Sequence, residues 1–330
     1  MSGYASPVTE NPFGQVLAAL VTPFQADGEV AWDDVERLIE DVVANGADGI
    51  VVSGTTGETS TLTDPEKIRL IDVAKQVAGS RAKIIQGGGS NETAHAIDLY
   101  RQAEKAGADG VMIVTPYYNK PTQAGILTHF RMIADATDLP VVLYDIPGRS
   151  GIEIKYETLL RAAKHPNIVA VKDAKGDFAE VSRVLNETDL LYFSGDDANV
   201  LPALSIGASG LIGVTANIAP APYRAIIDAV NSGDLHTAQR HHKSLEPLVR
   251  ATMTHVPGTV STKYILHGLG RIESPRVRLP LVGPEDAEAA RIEDDIASVV
   301  GVEGLDLTRF RPDRNAAAGG ALPKIHGTTR

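Results

Sequence analysis

Three passages of the chain repeat one phrase: GADGIVVSGTTG from Gly46 to Gly57, GADGVMIVTPYY from Gly107 to Tyr118, and GASGLIGVTANI from Gly207 to Ile218. Each opens on a glycine where a helical stretch stops, because glycine enters the left-handed, helix-ending conformation without strain. Each then runs into a short apolar segment with no polar alternation. A strand of that kind is buried on both faces, which requires helices on either side of a parallel sheet. This recurring helix-to-strand junction constrains the fold more than any single residue does.

Helical spacing fills the intervals at 33–44, 64–77, 92–106, 123–136, 156–163 and 178–186, and strand candidates lie near 17–21, 49–52, 83–85, 110–114, 141–144, 168–171, 190–193 and 210–214. Eight strand–helix units in about 220 residues are what a closed (β/α)8 barrel, the TIM barrel, needs. The alternative is an open doubly wound sheet, which usually shows a GxGxxG turn after its first strand; here ALVTPFQADGEV follows instead. After Ser232 the alternation gives way to helical spacing over 235–255 and 259–269, then SPRVRLPL, then a helix started by Pro284. The expected α/β organisation is a barrel over 14–232 and a C-terminal helical domain over 233–304. The end of the chain, RPDRNAAAGGALPKIHGTTR, has no periodic apolar face, and a structureless tail is expected over 305–330.

Composition narrows the ligand class. The absence of cysteine removes disulfides, thiolate zinc sites and cysteine nucleophiles. A net charge of −11 argues against nucleic-acid and acidic-membrane partners and leaves a small molecule as the expected ligand. No apolar run approaches the roughly 18 residues that span a bilayer. MSGYASPVTENPFG lacks the basic-then-apolar pattern of a secretion signal, so a cytoplasmic location is expected. The histidines show no metal-ligand spacing, and no metal is expected.

In a (β/α)8 barrel the reacting groups stand where strands end and loops begin. That rule gathers Thr55 and Thr56 after the second strand, Tyr117 and Tyr118 after the fourth, Tyr144 and Arg149 at the fifth, Lys172 at the sixth, and Gly195, Asp196 and Asp197 after the seventh. The key stretch is NIVAVKDAKGD, where a buried apolar run ends abruptly in Lys172. A lysine there is either a solvated stop or an amine nucleophile toward a carbonyl. The second role needs the neutral form, about one molecule in a thousand at neutral pH from an ordinary value near 10.4. Desolvation at a barrel mouth can supply the missing shift.

The other residues are ambiguous singly. SGTTGE is readable as a carboxylate-holding turn of backbone N–H groups or as a turn whose hydroxyls cap the next helix. Tyr144 can relay protons or merely pack. Arg149 can grip a carboxylate with its planar fork or sit in a surface salt bridge. The adjacent aspartates of SGDD read as helix caps rather than a metal site, and Asn91 as the cap of the helix after QGGGS.

GTTGE, VTPYYNKP, LYDIPGRSG, VAVKDAKG and FSGDD in this order resemble the dihydrodipicolinate synthase and N-acetylneuraminate lyase family, over about residues 14–300. The resemblance implies that Lys172 forms a Schiff base with pyruvate, whose carboxylate is held by Thr55 and Thr56, and that the derived enamine attacks the aldehyde of aspartate semialdehyde. It further implies that Arg149 grips the second substrate's carboxylate, that Tyr144, Thr55 and Tyr118 relay protons, with Tyr118 reaching into a neighbouring subunit, and that Gly195 and Ile212 line the pyruvate pocket. A homotetramer, a dimer of dimers, is expected, with no metal or organic cofactor because the protonated Schiff base is itself the electron sink.

The sequence departs from the family pattern at Lys67 and His95, where many relatives place a histidine and a glutamate; weak or absent inhibition by lysine is expected. It departs again at Asp145, where many have asparagine, a change the sequence alone does not explain. Two other readings compete: a sister aldolase acting on a keto-sugar acid, from which Arg149 discriminates, and an inactive barrel that only binds a carboxylate.

Overall fold

The structure is a computed structural model, described here for residues 11–318. Eight parallel strands close into a barrel in sequence order: β1 Val16–Ala19, β2 Gly49–Val52, β3 Lys83–Gln86, β4 Gly110–Val114, β5 Val141–Asp145, β6 Ile168–Asp173, β7 Leu191–Ser194 and β8 Gly210–Gly213, with β8 pairing back onto β1. The closed barrel expected from the repeated junction is present and the open sheet is not. Gly46, Gly107 and Gly207 all hold φ between 83° and 103°, so each helix ends at a left-handed glycine just before its strand.

The wall is formed by α1 Trp32–Ala44, α2 Asp64–Ala78, α3 Thr93–Lys105, α4 Gln123–Ala134, α5 Pro147–Ser150, α6 Tyr156–Ala162, α7 Phe178–Glu187, α8 Val200–Ser205 and α9 Pro220–Asn231. In α1, Val35, Leu38, Ile39 and Val42 recur at helical spacing and are fully buried; each contributes about 1.5–3 kcal/mol by leaving water. Helix α2 starts where the sequence says it should. Thr63 accepts the Glu66 N–H and Glu66 returns a carboxylate to the Thr63 N–H, a reciprocal cap worth about 1 kcal/mol. The cap of α3 is Glu92 rather than Asn91, because Glu92 reaches the Ala94 and His95 N–H groups while the Asn91 amide turns to the Tyr117 carbonyl. Helices α8 and α9 were not among the segments read from spacing. The first is only six residues long, and the second opens with Pro220 and Pro222, which mask the helical signal.

Beyond the barrel lie α10 Leu235–Met253, α11 Gly258–Gly268 and α12 Asp286–Ser298. The segment from 305, expected to be structureless, instead lies against this layer as far as α13 Arg314–Ala318. Leu305, Leu307 and Phe310 pack on the core, the Arg311 N–H donates to the Gly268 carbonyl, and Arg314 pairs with Glu293. The remaining positions of that expected tail, 319–330, lie outside the described residues. Gly268 has to be glycine here, since a Cβ would stand 2.4 Å from the Phe310 ring. Among the described residues no helix is long and apolar enough to cross a membrane, and no cluster of three or more His, Asp or Glu side chains is arranged to hold a metal.

The barrel interior is filled by Leu17, Val51, Ile85, Met112, Val142 and their neighbours. Phe13 plugs the amino-terminal end, fitted against Gly49 and Gly110 at the starts of β2 and β4. With that end closed, the interior opens only where the strands finish.

Candidate active site

Strand β6 runs past its apolar core to Asp173, so Lys172, like Tyr144 in β5, belongs to a strand and not to the loop after it. In the ladder Tyr144 faces Lys172, and Lys172 faces Phe193. Period-two alternation sends Val142, Tyr144, Ala170 and Lys172 into the barrel and turns Asp145 and Asp173 outward.

Lys172 is 4% exposed, and its Nζ lies 4.3 Å from the centroid of the Tyr144 ring. No carboxylate lies within ion-pairing distance of it among the described residues. Burial pulls the amine down to about 8; the Asp197 carboxylate opposes this and the Arg149 guanidinium assists it. At pH 7 about one molecule in ten is then neutral, against about one in a thousand for a free lysine. Gly195 makes room for this side chain, because a Cβ there would sit 3.0 Å from Lys172 Cγ and 2.9 Å from the Asp173 carbonyl. Burial raises the Tyr144 phenol above its ordinary value, so it stays protonated and can donate.

The threonine turn follows β2. Its backbone is tightly wound, with Ser53 at φ 55° and Glu58 at φ 59°. The Thr55 and Thr56 carbonyls are occupied by the Glu58 N–H and the Thr259 hydroxyl, and Gly57 by the Thr22 hydroxyl. The N–H and hydroxyl groups of Thr55 and Thr56 have no acceptor among the described residues, which leaves a set of donors suited to an anion. The helix after the turn is capped by Thr63, so the capping alternative for Thr55 and Thr56 does not hold.

Arg149 is exposed in α5 and makes no salt bridge among the described residues, so its surface-pair alternative fails too. It lies near enough to perturb both Lys172 and Tyr144 electrostatically. Ile212 is fully buried on β8 inside the barrel. Tyr118 differs from the other candidates: it is 89% exposed and held at φ 71°, and its N–H donates to the Ser150 carbonyl beside Arg149.

The adjacent aspartates divide. Asp196 caps the turn after β7 through the Ala198 N–H, as expected. Asp197 is no cap; it is fully buried, accepts the Val214 and Thr215 N–H groups and the Tyr223 hydroxyl, and so ties the end of β7 to the end of β8. Burial raises its carboxyl above the usual range.

Sequence reasoning missed what holds the threonine turn. Glu58 receives the Lys263 ammonium on one oxygen and the Arg278 N–H on the other, and Lys263 is wholly buried in α11. A lone lysine within the apolar stretch GTVSTKYILHG was the available signal.

Together these features define a class: a closed parallel barrel whose mouth presents a desolvated amine beside a phenol, with backbone and hydroxyl donors and a guanidinium that have no partner among the described residues, an arrangement equipped to add an amine to the carbonyl of an anionic substrate. The sequence matches the Dihydrodipicolinate synthetase family over residues 12–299. It is 50% identical over 286 residues to a 4-hydroxy-tetrahydrodipicolinate synthase of Kineococcus radiotolerans, covering 87% of this chain and 93% of that one. It is 49% identical over 287 residues to the protein of the same name from Acidothermus cellulolyticus, covering 87% and 92%. The crystal structure of DHDPS from Cyanidioschyzon merolae with lysine bound superposes with a TM-score of 0.84 at 38% identity, covering 88% of this chain and 99% of that one. The chain belongs to the dihydrodipicolinate synthase family.

Proposed function

We propose that this protein is a 4-hydroxy-tetrahydrodipicolinate synthase, a cytoplasmic lyase that condenses pyruvate with L-aspartate 4-semialdehyde on the route to diaminopimelate and lysine. The observation that carries the reading is Lys172: a buried amine at the mouth of the barrel, pulled down to about 8 and without a carboxylate partner.

The neutral Nζ adds to the keto carbon of pyruvate, and loss of water leaves a protonated Schiff base. The pyruvate carboxylate is received by the free N–H and hydroxyl donors of Thr55 and Thr56, in a pocket bordered by Gly195 and Ile212. The iminium withdraws electrons from the adjacent methyl, which loses a proton to give an enamine. The enamine carbon bonds to the aldehyde carbon of the second substrate, whose oxygen takes a proton. Attack of that substrate's own amine on the iminium carbon closes the ring and breaks the bond to Nζ. Tyr144, beside the amine, and Thr55 carry protons through these steps, and Arg149 holds the carboxylate of the aldehyde.

Tyr118 completes the relay from a neighbouring subunit of a homotetramer built as a dimer of dimers. Its support is the near-complete exposure of a large aromatic ring held in a left-handed backbone conformation, an arrangement without benefit to an isolated chain. An initial-rate assay tests the reading: the protein consumes pyruvate and aspartate semialdehyde together and releases a cyclic diacid, and it leaves keto-sugar acids uncleaved. Cleavage of a keto-sugar acid with no condensation contradicts it.

A further inference from the structure

Arg149 rides on a segment with its own internal structure. The single turn α5 ends at Gly151, φ 75°, and the Ser150 hydroxyl fastens it to the Ile146 and Ile152 carbonyls. The Tyr118 N–H also donates to the Ser150 carbonyl at 3.3 Å; the two feet of the segment are Asp145, where it leaves β5, and Ile154.

One pair of side chains, Asp145 and Lys175, reaches both feet, and Gln123 of α4 holds the exit further through the Glu153 carbonyl and the Lys155 N–H. Asp145 is 2% exposed, and its Oδ1 accepts the Ile154 N–H at 3.1 Å, tying the exit of the segment to its entry. Its Oδ2 lies 3.4 Å from Lys175 Nζ. The same ammonium donates to the Ile154 carbonyl at 3.4 Å and to Glu180 of α7 at 2.5 Å, and lies 3.9 Å from Glu153. Lys175 itself is fixed from β6, because Asp173 Oδ1 accepts the Lys175 N–H at 2.6 Å and the Gly176 N–H at 3.0 Å. Asp173 is the residue after Lys172 and the ladder partner of Asp145. A short rigid path therefore runs from Lys172 through Asp173 and Lys175 to both ends of the segment bearing Arg149.

We infer that Asp145 and Lys175 are positioning residues that set the guanidinium of Arg149 relative to the Schiff-base nitrogen, and so govern capture of the carboxylate of the aldehyde substrate. This rests on the proposed role of Arg149. A buried ion pair adds little net stability, since desolvating both charges consumes most of their attraction, so its value here is geometric. Misplacing a substrate-gripping group by about 1 Å costs up to about a hundredfold in rate, so a loose segment has consequences although neither residue touches substrate.

The test compares Lys175→Met, Lys175→Arg and Arg149→Ala in the full-length enzyme. Lys175→Met keeps the stem and removes the ammonium. Its KM for aspartate semialdehyde should rise about tenfold, while the KM for pyruvate and the borohydride-trapped pyruvate adduct on Lys172 stay unchanged within about twofold. Lys175→Arg should recover most of the loss. If Lys175→Met does not fold, as an absent pyruvate adduct would reveal, Asp145→Asn serves in its place; it keeps an acceptor for Ile154 and loses the charge, and should raise the same KM about threefold. An unchanged KM for aspartate semialdehyde in the folded variant, with that of Arg149→Ala raised, overturns the clamp alone. An unchanged KM in Arg149→Ala overturns the reading of Arg149 on which the clamp depends.

Discussion

Lys172 and Tyr144 are ladder partners on adjacent strands, and the amine of one stands 4.3 Å from the ring centroid of the other. The geometry has two consequences. The strand pair holds the amine inside the buried barrel mouth, where burial favours the neutral form, and it carries the Tyr144 hydroxyl on the same rigid support as the nucleophile. Neither group depends on a loop for its placement.

The first consequence is measurable as pH dependence. With the Lys172 amine pulled down to about 8, the rate of borohydride-trappable adduct formation with saturating pyruvate should rise about tenfold per pH unit below 8 and level off above it. A profile still climbing steeply at pH 9.5 would mean an unperturbed lysine.

The same lowered value bears on stability. A lysine whose folded value is lowered binds fewer protons in the folded than in the unfolded state between about 8 and its ordinary value, so the folded state carries a penalty that is complete below pH 8 and fades as pH rises. Lys172→Met should therefore be inactive and, at pH 7, more stable by about 3 kcal/mol, read by chemical denaturation. The excess should shrink as the pH approaches 10.

Glu58 and Lys263 support the threonine turn from behind. Lys263→Met leaves the buried Glu58 carboxylate without its main counter-charge. Loss of about 3–5 kcal/mol of stability is expected, together with a raised KM for pyruvate, measured at a temperature where the variant is still folded. Loss of stability with an unaltered KM would remove any link between this pair and the site.

Feedback by lysine should be weak. Asp64 already accepts the Lys67 ammonium at 3.0 Å and contacts His95 at 2.7 Å, and position 95 offers no carboxylate to a second cation. Initial rates with lysine at about 1 mM should be unchanged, because an added ammonium meets a like charge at Lys67; inhibition below that concentration contradicts this.

The strands were legible because parallel barrel strands are buried on both faces and read as unbroken apolar runs, and because Gly46, Gly107 and Gly207 mark where each preceding helix stops. Lys172, Tyr144, Thr55 and Thr56 could be singled out since strand ends at one face of a barrel form the site. The contacts that hold these residues were not legible. Glu58 and Lys263 are 205 residues apart in sequence, and Asp197 bonds backbone groups beyond the next strand. Such pairings follow from closure of the barrel and leave no local pattern. Asp145, unexplained as a substitution, acquires a physical account only once Lys175 and Ile154 are seen beside it. The segment around Phe310 was misjudged because its anchoring depends on a notch at Gly268, which spacing does not reveal.

The most direct test of the central claim is reduction with borohydride in the presence of pyruvate, followed by peptide mass analysis. The account predicts one stable adduct, on the peptide bearing Lys172, absent without pyruvate and absent in Lys172→Met. No adduct, or an adduct carried by another lysine, would contradict it.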